Sequence, residues 1–374
     1  MTPNTPDLTE PRVHGEAIVY RLFDVGYGIA LDRAFDLLAS SGPERRRPSR
    51  GEAQTIQIPN PPVTVGLGSE PIEIDGRLID AELSARVFDF GVVSMRARVS
   101  AHPGLGWNAF AGWGASVSAA TWNDLLGRAR DRLLARIASA VDQPSVSSLT
   151  EDYTVFRVNR LVDQEGAAFS PAELHDGEIS RLLLGEPRPL TASARTEILS
   201  PRLGYFEDDL TVMTWGSALV VEPAADDTDV QYVLEFANAQ LLELRWYDAV
   251  LDAELPAIQT RFKQARQGYH LFGRRYSRLL EVLHQRVADS VELIERVENS
   301  LKVTDDVYLA RVYAGALEEF RERTWRSGIE RKITIVRGTY DMLNAESLAR
   351  RAETLEIIIV LLIMFEIGLA LLRH

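Results

Sequence analysis

Cysteine is absent from the 374 residues, which excludes disulfides, thiolate metal sites and thiol nucleophiles together. Lysine is almost absent as well. Lys263, Lys302 and Lys332 are the only three among 41 basic residues, and the remainder are arginine. Bias on that scale reflects nucleotide composition, as in a GC-rich bacterial source, more than phosphate binding. The six histidines (His14, His102, His175, His270, His284 and His374) lie far apart, none at HxxxH or HExxH spacing, so no zinc site is legible. Neither a P-loop nor a Ser/His/Asp arrangement is present, and no cofactor is expected. The first twenty residues hold acids and prolines and no apolar stretch of signal-peptide length. The body of the chain is therefore expected to stay in the cytoplasm.

What is present is acidic. With 54 Asp and Glu against 41 basic residues, the net charge of −13 argues against free nucleic acid as a partner. The length suits two compact domains, or one domain and a helical stalk.

Residues 1–14 read as a disordered tail and residues 15–229 as an α+β domain of mixed strands and helices. Ala17 to Val25 is rich in β-branched and aromatic residues and stops at Gly26, so it predicts a strand. Ile29 to Leu38 and Trp122 to Ala140 carry helical spacing. The stretch 41–52, with Arg45 to Arg47, reads as a solvated loop. Glu82 to Val99 alternates apolar and polar residues on both sides of Phe90-Gly91, so a turn or bulge is expected at the glycine. Leu210 to Val221 repeats the pattern around Trp215-Gly216, which raises an internal duplication. Residues 104–114, GLGWNAFAGWG, match a dinucleotide fingerprint only superficially. They read as a flexible loop with Trp107, Phe110 and Trp113 at an exposed tip.

Two acidic groups are the candidate metal ligands: Glu207, Asp208 and Asp209 before the 210–221 strands, and Asp226, Asp227 and Asp229 after them. Carboxylates at that density suit Mg²⁺ or Ca²⁺, but the EF-hand order is missing, and solvated loops are the plainer reading.

Residues 230–353 predict an antiparallel, coiled-coil-like helical stalk. Leu280, Leu283, Val287, Val291, Ile294, Val297 and Leu301 step by three and four, and Ile329, Ile333, Val336, Tyr340 and Leu343 step 4-3-4-3. Pro256 is expected to kink or break the first helix. Residues 354–374 end the chain in an apolar run from Ile357 to Leu372, interrupted only by Glu366. This predicts a single-pass C-terminal anchor in the inner membrane. A carboxylate in such a run is costly unless it faces a partner. Glu356 lies close to three turns earlier, so an oligomer burying that face would shelter both.

The segment EFANAQLLELRWYD (235–248), the strand turn Phe90-Gly91-Val92 and the terminal LEIIIVLLIMFEIGLALL (355–372) resemble the family called "required for meiotic nuclear division". The resemblance implies a membrane-anchored homo-oligomer of unknown biochemical function, linked to organellar translation in mitochondrial members. The reading is a non-enzymatic scaffold on the membrane, binding itself and an unknown protein partner. The alternative is a nucleotide- or metal-dependent module, with the two acidic groups as its metal site and the 104–114 loop as its lid.

Overall fold

The computed structural model describes residues 10–44, 60–145, 147–186, 188–223, 229–267 and 306–372. These form two compact units. One holds the described residues of Met1–Trp246 and Ser300–Arg323, the other those of Tyr247–Asn299 and Thr324–His374.

The first unit is α+β. Its strands are β1 (Arg12–Asp24), β2 (Gly26–Ile29), β3 (Val63–Ile74), β4 (Arg77–Val87), β5 (Val92–Ser100), β6 (Leu105–Gly106), β7 (Val141–Pro144), β8 (Thr150–Val162), β9 (Arg202–Leu203), β10 (Leu210–Met213) and β11 (Ser217–Val221). The large sheet runs β3-β4-β5-β1-β8-β11-β10-β9, with β6 on the end of β1, while β2 and β7 pair separately. β11 lies parallel to β8, and the other pairings are antiparallel.

Side-chain alternation sends Val13, Ala17, Val19 and Phe23 of β1 to one face, with Val93, Met95, Ala97 and Val99 of β5 and Phe156 and Val158 of β8. On that face lie α1 (Leu31–Leu38), α2 (Trp107–Ala119), α3 (Trp122–Ile137), α4 (Asp176–Leu184) and α5 (Ala192–Ile198). α5 is capped by Thr191, whose Oγ1 accepts from Ala194 N.

The other face meets the start of α6 (Asp229–Gln267) and α7 (Val307–Glu319). Residues 230–244 of α6 are buried without exception, although α6 contains five polar or charged residues in that stretch.

The glycine turns bear out the alternation. Phe88–Gly91 joins β4 to β5, and Thr214–Gly216 joins β10 to β11, closed by Thr214 Oγ1 accepting from Ser217 N at 3.2 Å. Both segments are hairpins within one continuous sheet.

Residues 104–114 are not a loop. Gly106 leads directly into α2, where Trp107 and Phe110 are fully buried. Gly114 lets α4 and β8 approach, because a Cβ there would lie 2.7 Å from Leu182 and 2.9 Å from Phe156. The aromatic spacing is a helix stripe packed on the sheet, so no exposed tip and no lid forms.

In the second unit, α6 and α8 (Glu322–Leu372) pack together. Asp248 lies against Gly328, and Lys332 reaches Asp248 and Asp252, both at 2.7 Å. The contacts advance along both helices in the same direction, so these two helices run parallel, and the antiparallel neighbour expected between them falls on residues 268–305, outside the described residues. α6 continues through Pro256. Ile329, Ile333 and Val336 are buried, whereas the side chains of Tyr340 and Leu343 and all of residues 280–301 fall outside the described residues. The Arg45–Arg47 run falls outside them as well.

The expected membrane span is overturned. Among the described residues, no helix is long and apolar enough to cross a membrane. The carboxylates give the physical reason. Glu356 and Glu366 leave no uninterrupted stretch longer than Ile357–Phe365, about 13 Å of helix against a hydrocarbon core of roughly 30 Å. The tail-anchored, single-pass, inner-membrane assignment falls with it.

One backbone crossing is a point of high constraint. Gly91 has φ +91°, and a Cβ there would lie 1.9 Å from the Gly26 carbonyl oxygen. Val25 N donates to Gly91 O at 3.0 Å across the same crossing. Gly91→Ala is expected to cost about 3 kcal/mol or more and to lower the thermal midpoint clearly. Gly315→Ala is the contrast, since its Cβ would meet only the flexible end of Met213 at 2.9 Å. Gain of helix propensity offsets that contact, so little change is expected. Equal melts for the two variants would contradict the assignment of strain.

Candidate functional site

The second face of the sheet carries charge where an interior ordinarily carries aliphatic side chains. Arg86 of β4, Arg96 of β5 and Arg157 of β8 are all buried there. Register places Ser84, Arg96, Tyr20 and Tyr153 in one row across four strands, and Arg86, Ser94, Leu22 and Glu151 in the next.

Helix α6 brings the complementary groups. Arg86 pairs with Glu235, whose side chain is fully buried, and lies over the Tyr232 ring, 4.6 Å from its centroid. Arg245 pairs with Glu151, and Gln240 accepts from the Tyr313 hydroxyl. Arg157 donates to Glu16 at 3.0 Å. Phe88, Phe90, Tyr232, Phe236 and Tyr313 form a chain of ring contacts beside the Arg86–Glu235 pair.

Burial raises the Glu151 carboxyl above its ordinary range, and the adjoining Arg245 cation only partly offsets this. Burial likewise raises the Tyr232 phenol. Lys332 is burdened by desolvation, but its hydrogen bonds to Asp248 and Asp252 outweigh that and raise its pKa.

Asp24, at the end of β1, is the most perturbed carboxyl with an assignable value. Burial pushes it up to about 7, against a hydrogen bond from Gly26 N at 3.3 Å that favours the charged form. Its Oδ2 is buried with no hydrogen-bond partner among the described residues.

The same unit has a cleft of about 900 Å³ where the first turns of α2 and α4 come together. Glu10 accepts from Asn108 N at the start of α2, and Glu178 accepts from His175 N at the start of α4. Arg202 pairs with Asp176 at 2.9 Å, and Arg195 lines the opening. The chain's own carboxylates therefore occupy both helix starts.

The candidate metal ligands do not converge there. Asp209 is buried and accepts from Tyr205 N at 2.6 Å, while Glu207 and Asp208 are exposed in the same loop. Asp229 opens α6, and Asp226 and Asp227 lie outside the described residues. Among the described residues, no group of three or more His, Asp or Glu could hold a metal ion.

The remaining feature is apolar. From Leu355 to Leu369 the large side chains of α8 are 48–68% exposed. Glu356 and Glu366 are exposed among them. A smaller patch, Tyr205 and Phe206, is exposed beside the acidic loop.

Sequence reasoning missed the buried arginines, because Arg86, Arg96 and Arg157 sit at the polar positions of alternating strands, which normally face water. The available signal was α6 itself: in VQYVLEFANAQLLEL the polar residues fall on every side, so no single face could be given to solvent.

Two predictions follow from the buried charges. Arg86→Met or Glu235→Leu alone is expected to cost roughly 3–5 kcal/mol, because each leaves an uncompensated buried charge. The double variant should cost much less than the sum, measured as urea unfolding midpoints in a double-mutant cycle. Additive losses would show that the two charges do not depend on one another. For Asp24, the folded pKa of about 7 lies above the unfolded value of roughly 3.9. Its contribution is therefore intact below about pH 4 and is lost as pH rises through 7. Asp24→Asn should flatten that decline, and an unchanged stability–pH slope would contradict it.

A family model described as "Uncharacterized protein MJ0711, N-terminal domain" matches residues 14–228. The uncharacterized protein MJ0711 of Methanocaldococcus jannaschii is 22% identical over 242 residues, covering 65% of this chain and 72% of the relative. No solved structure matches. These findings overturn the resemblance to the meiotic nuclear division family and, with it, bacterial membership of that family. The aromatic–glycine turn and the buried α6 segment behind it are features of a sheet hairpin and a core helix, and do not distinguish families. Matched over more than half its length, the chain belongs to the MJ0711 N-terminal domain family.

Proposed function

We propose that this protein is a non-enzymatic interaction scaffold that assembles with copies of itself and with a protein partner. The observation that carries the reading is the distribution of large apolar side chains. The α+β unit buries its own on both faces of the sheet, while the end of α8 leaves twelve of them, from Leu355 to Leu369, about half exposed. Surface of that kind marks a contact with another molecule. The paired ionisable groups support the same reading, because Arg86, Glu235, Arg245 and Glu151 are engaged with each other and tie α6 to the sheet. The Tyr205–Phe206 patch is a second, smaller contact surface on the α+β unit.

The cleft at the starts of α2 and α4 favours a second reading, a module that binds a nucleotide or another small polar ligand. A thermal-shift screen of the full chain against nucleotides and divalent ions separates the two, with light scattering on the same samples. The scaffold reading expects a mass above one chain and no reproducible shift. A shift from one ligand class, reversed by Arg195→Ala, would establish the binding module instead. A one-chain mass across the accessible concentration range would remove the scaffold reading.

A further inference from the structure

We infer that the end of α8 is the self-association surface and that the same segment of a second copy of this chain occupies it. The inference rests on the scaffold reading and names the partner for one of its surfaces.

Packing along α8 changes at a definite place. Ile329, Ile333 and Val336 are 0–6% exposed, so the second unit covers the first part of the helix. Farther on, Met342 is 50% exposed, and from Leu355 the large apolar side chains described are about half exposed or more. Successive residues turn by about 100° around a helix, so Ile357–Phe365 circles the axis and leaves no polar side. A helix that is apolar all round is stable only when surrounded.

Area and length choose the occupant. Twelve large side chains at half exposure amount to on the order of 1,000 Å², above the roughly 300–600 Å² of the largest patch on an ordinary monomer and close to the ~800 Å² per partner of a standard interface. The uninterrupted stretch spans only about 13 Å, a poor match to a lipid core of roughly 30 Å. A second copy brings a stretch of the same length, bounded by the same two carboxylates. Whether the copies align parallel or antiparallel, the two stretches superpose fully with Leu361 at the centre. Glu356 and Glu366 then lie at the rims of the contact, where they remain hydrated.

The absence of cysteine makes a direct test clean. Val360→Cys, Leu361→Cys and Leu362→Cys, each in the full chain, place one thiol in three directions around the helix at the centre of symmetry. Under mild oxidation in detergent-free buffer, at least one should give a disulfide-linked pair, since contact there brings Cα atoms within bridging range. Leu78→Cys, exposed at the start of β4, is the control and should remain largely unlinked. In sedimentation velocity, Ile359→Asp with Leu362→Asp should raise the dissociation midpoint roughly tenfold or more. Its thermal melt should stay as in the parent chain.

Several outcomes would overturn the inference. One is a parent-like midpoint for the double variant together with no preferential linking at 360–362; if the parent is multimeric, the scaffold reading then survives with its contact elsewhere. Another is a one-chain parent that floats with phosphatidylcholine vesicles, which makes lipid the occupant. A third is a one-chain parent that ignores vesicles, which removes the scaffold reading as well.

Discussion

The pairing of Arg86 with Glu235 is the interaction on which the arrangement of the α+β unit depends. An arginine on β4 points to the face of the sheet that α6 covers, and the glutamate that meets it has a fully buried side chain. Neither charge has water to fall back on. Removing a carboxylate and a guanidinium from water costs several kcal/mol each, and their attraction repays this only when the geometry is met. The pair therefore acts as a registration device: a displacement of α6 along the sheet would strand a charge. Arg245 with Glu151 of β8 repeats the device farther along the helix, and Gln240 with Tyr313 ties α6 to α7.

The two faces of the sheet thus work differently. One is packed by α1 to α5 through aliphatic and aromatic contact, which is tolerant of small shifts and gives most of the burial. The other is held by a few directional contacts to a helix with no exposed side over residues 230–244. Glycines set how closely the layers approach. Gly91 permits the crossing over Gly26, and Gly114 brings α2 against Leu182 and Phe156. In neither case is flexibility the point; the space has no room for a Cβ.

The second unit has a simpler logic with an unfinished end. Lys332 bridges Asp248 and Asp252, and Ile329, Ile333 and Val336 are buried beside it. Beyond that, α8 carries apolar residues with nothing described against them. The same helix is thus core along one stretch and surface along another, and that change distinguishes a structural element from a contact surface.

Local pattern was enough for part of this. Alternation around Phe90-Gly91 and Trp215-Gly216 gave both hairpins, and helical spacing gave α1 and α3, because those signals depend on neighbours in sequence. The α+β class was legible in the same way. Three matters were not. The stretch 104–114 reads as a loop from its glycines, yet burial of Trp107 and Phe110 against the sheet makes it a helix. The terminal apolar run reads as a span until Glu356 and Glu366 are counted against bilayer thickness. The buried arginines occupy positions that look solvent-facing in every strand considered alone. The sequence by itself determined which residues alternate and where the chain turns; only the tertiary structure decided which side of each strand met α6, because that depends on groups 94 and 149 residues apart satisfying one another's charge.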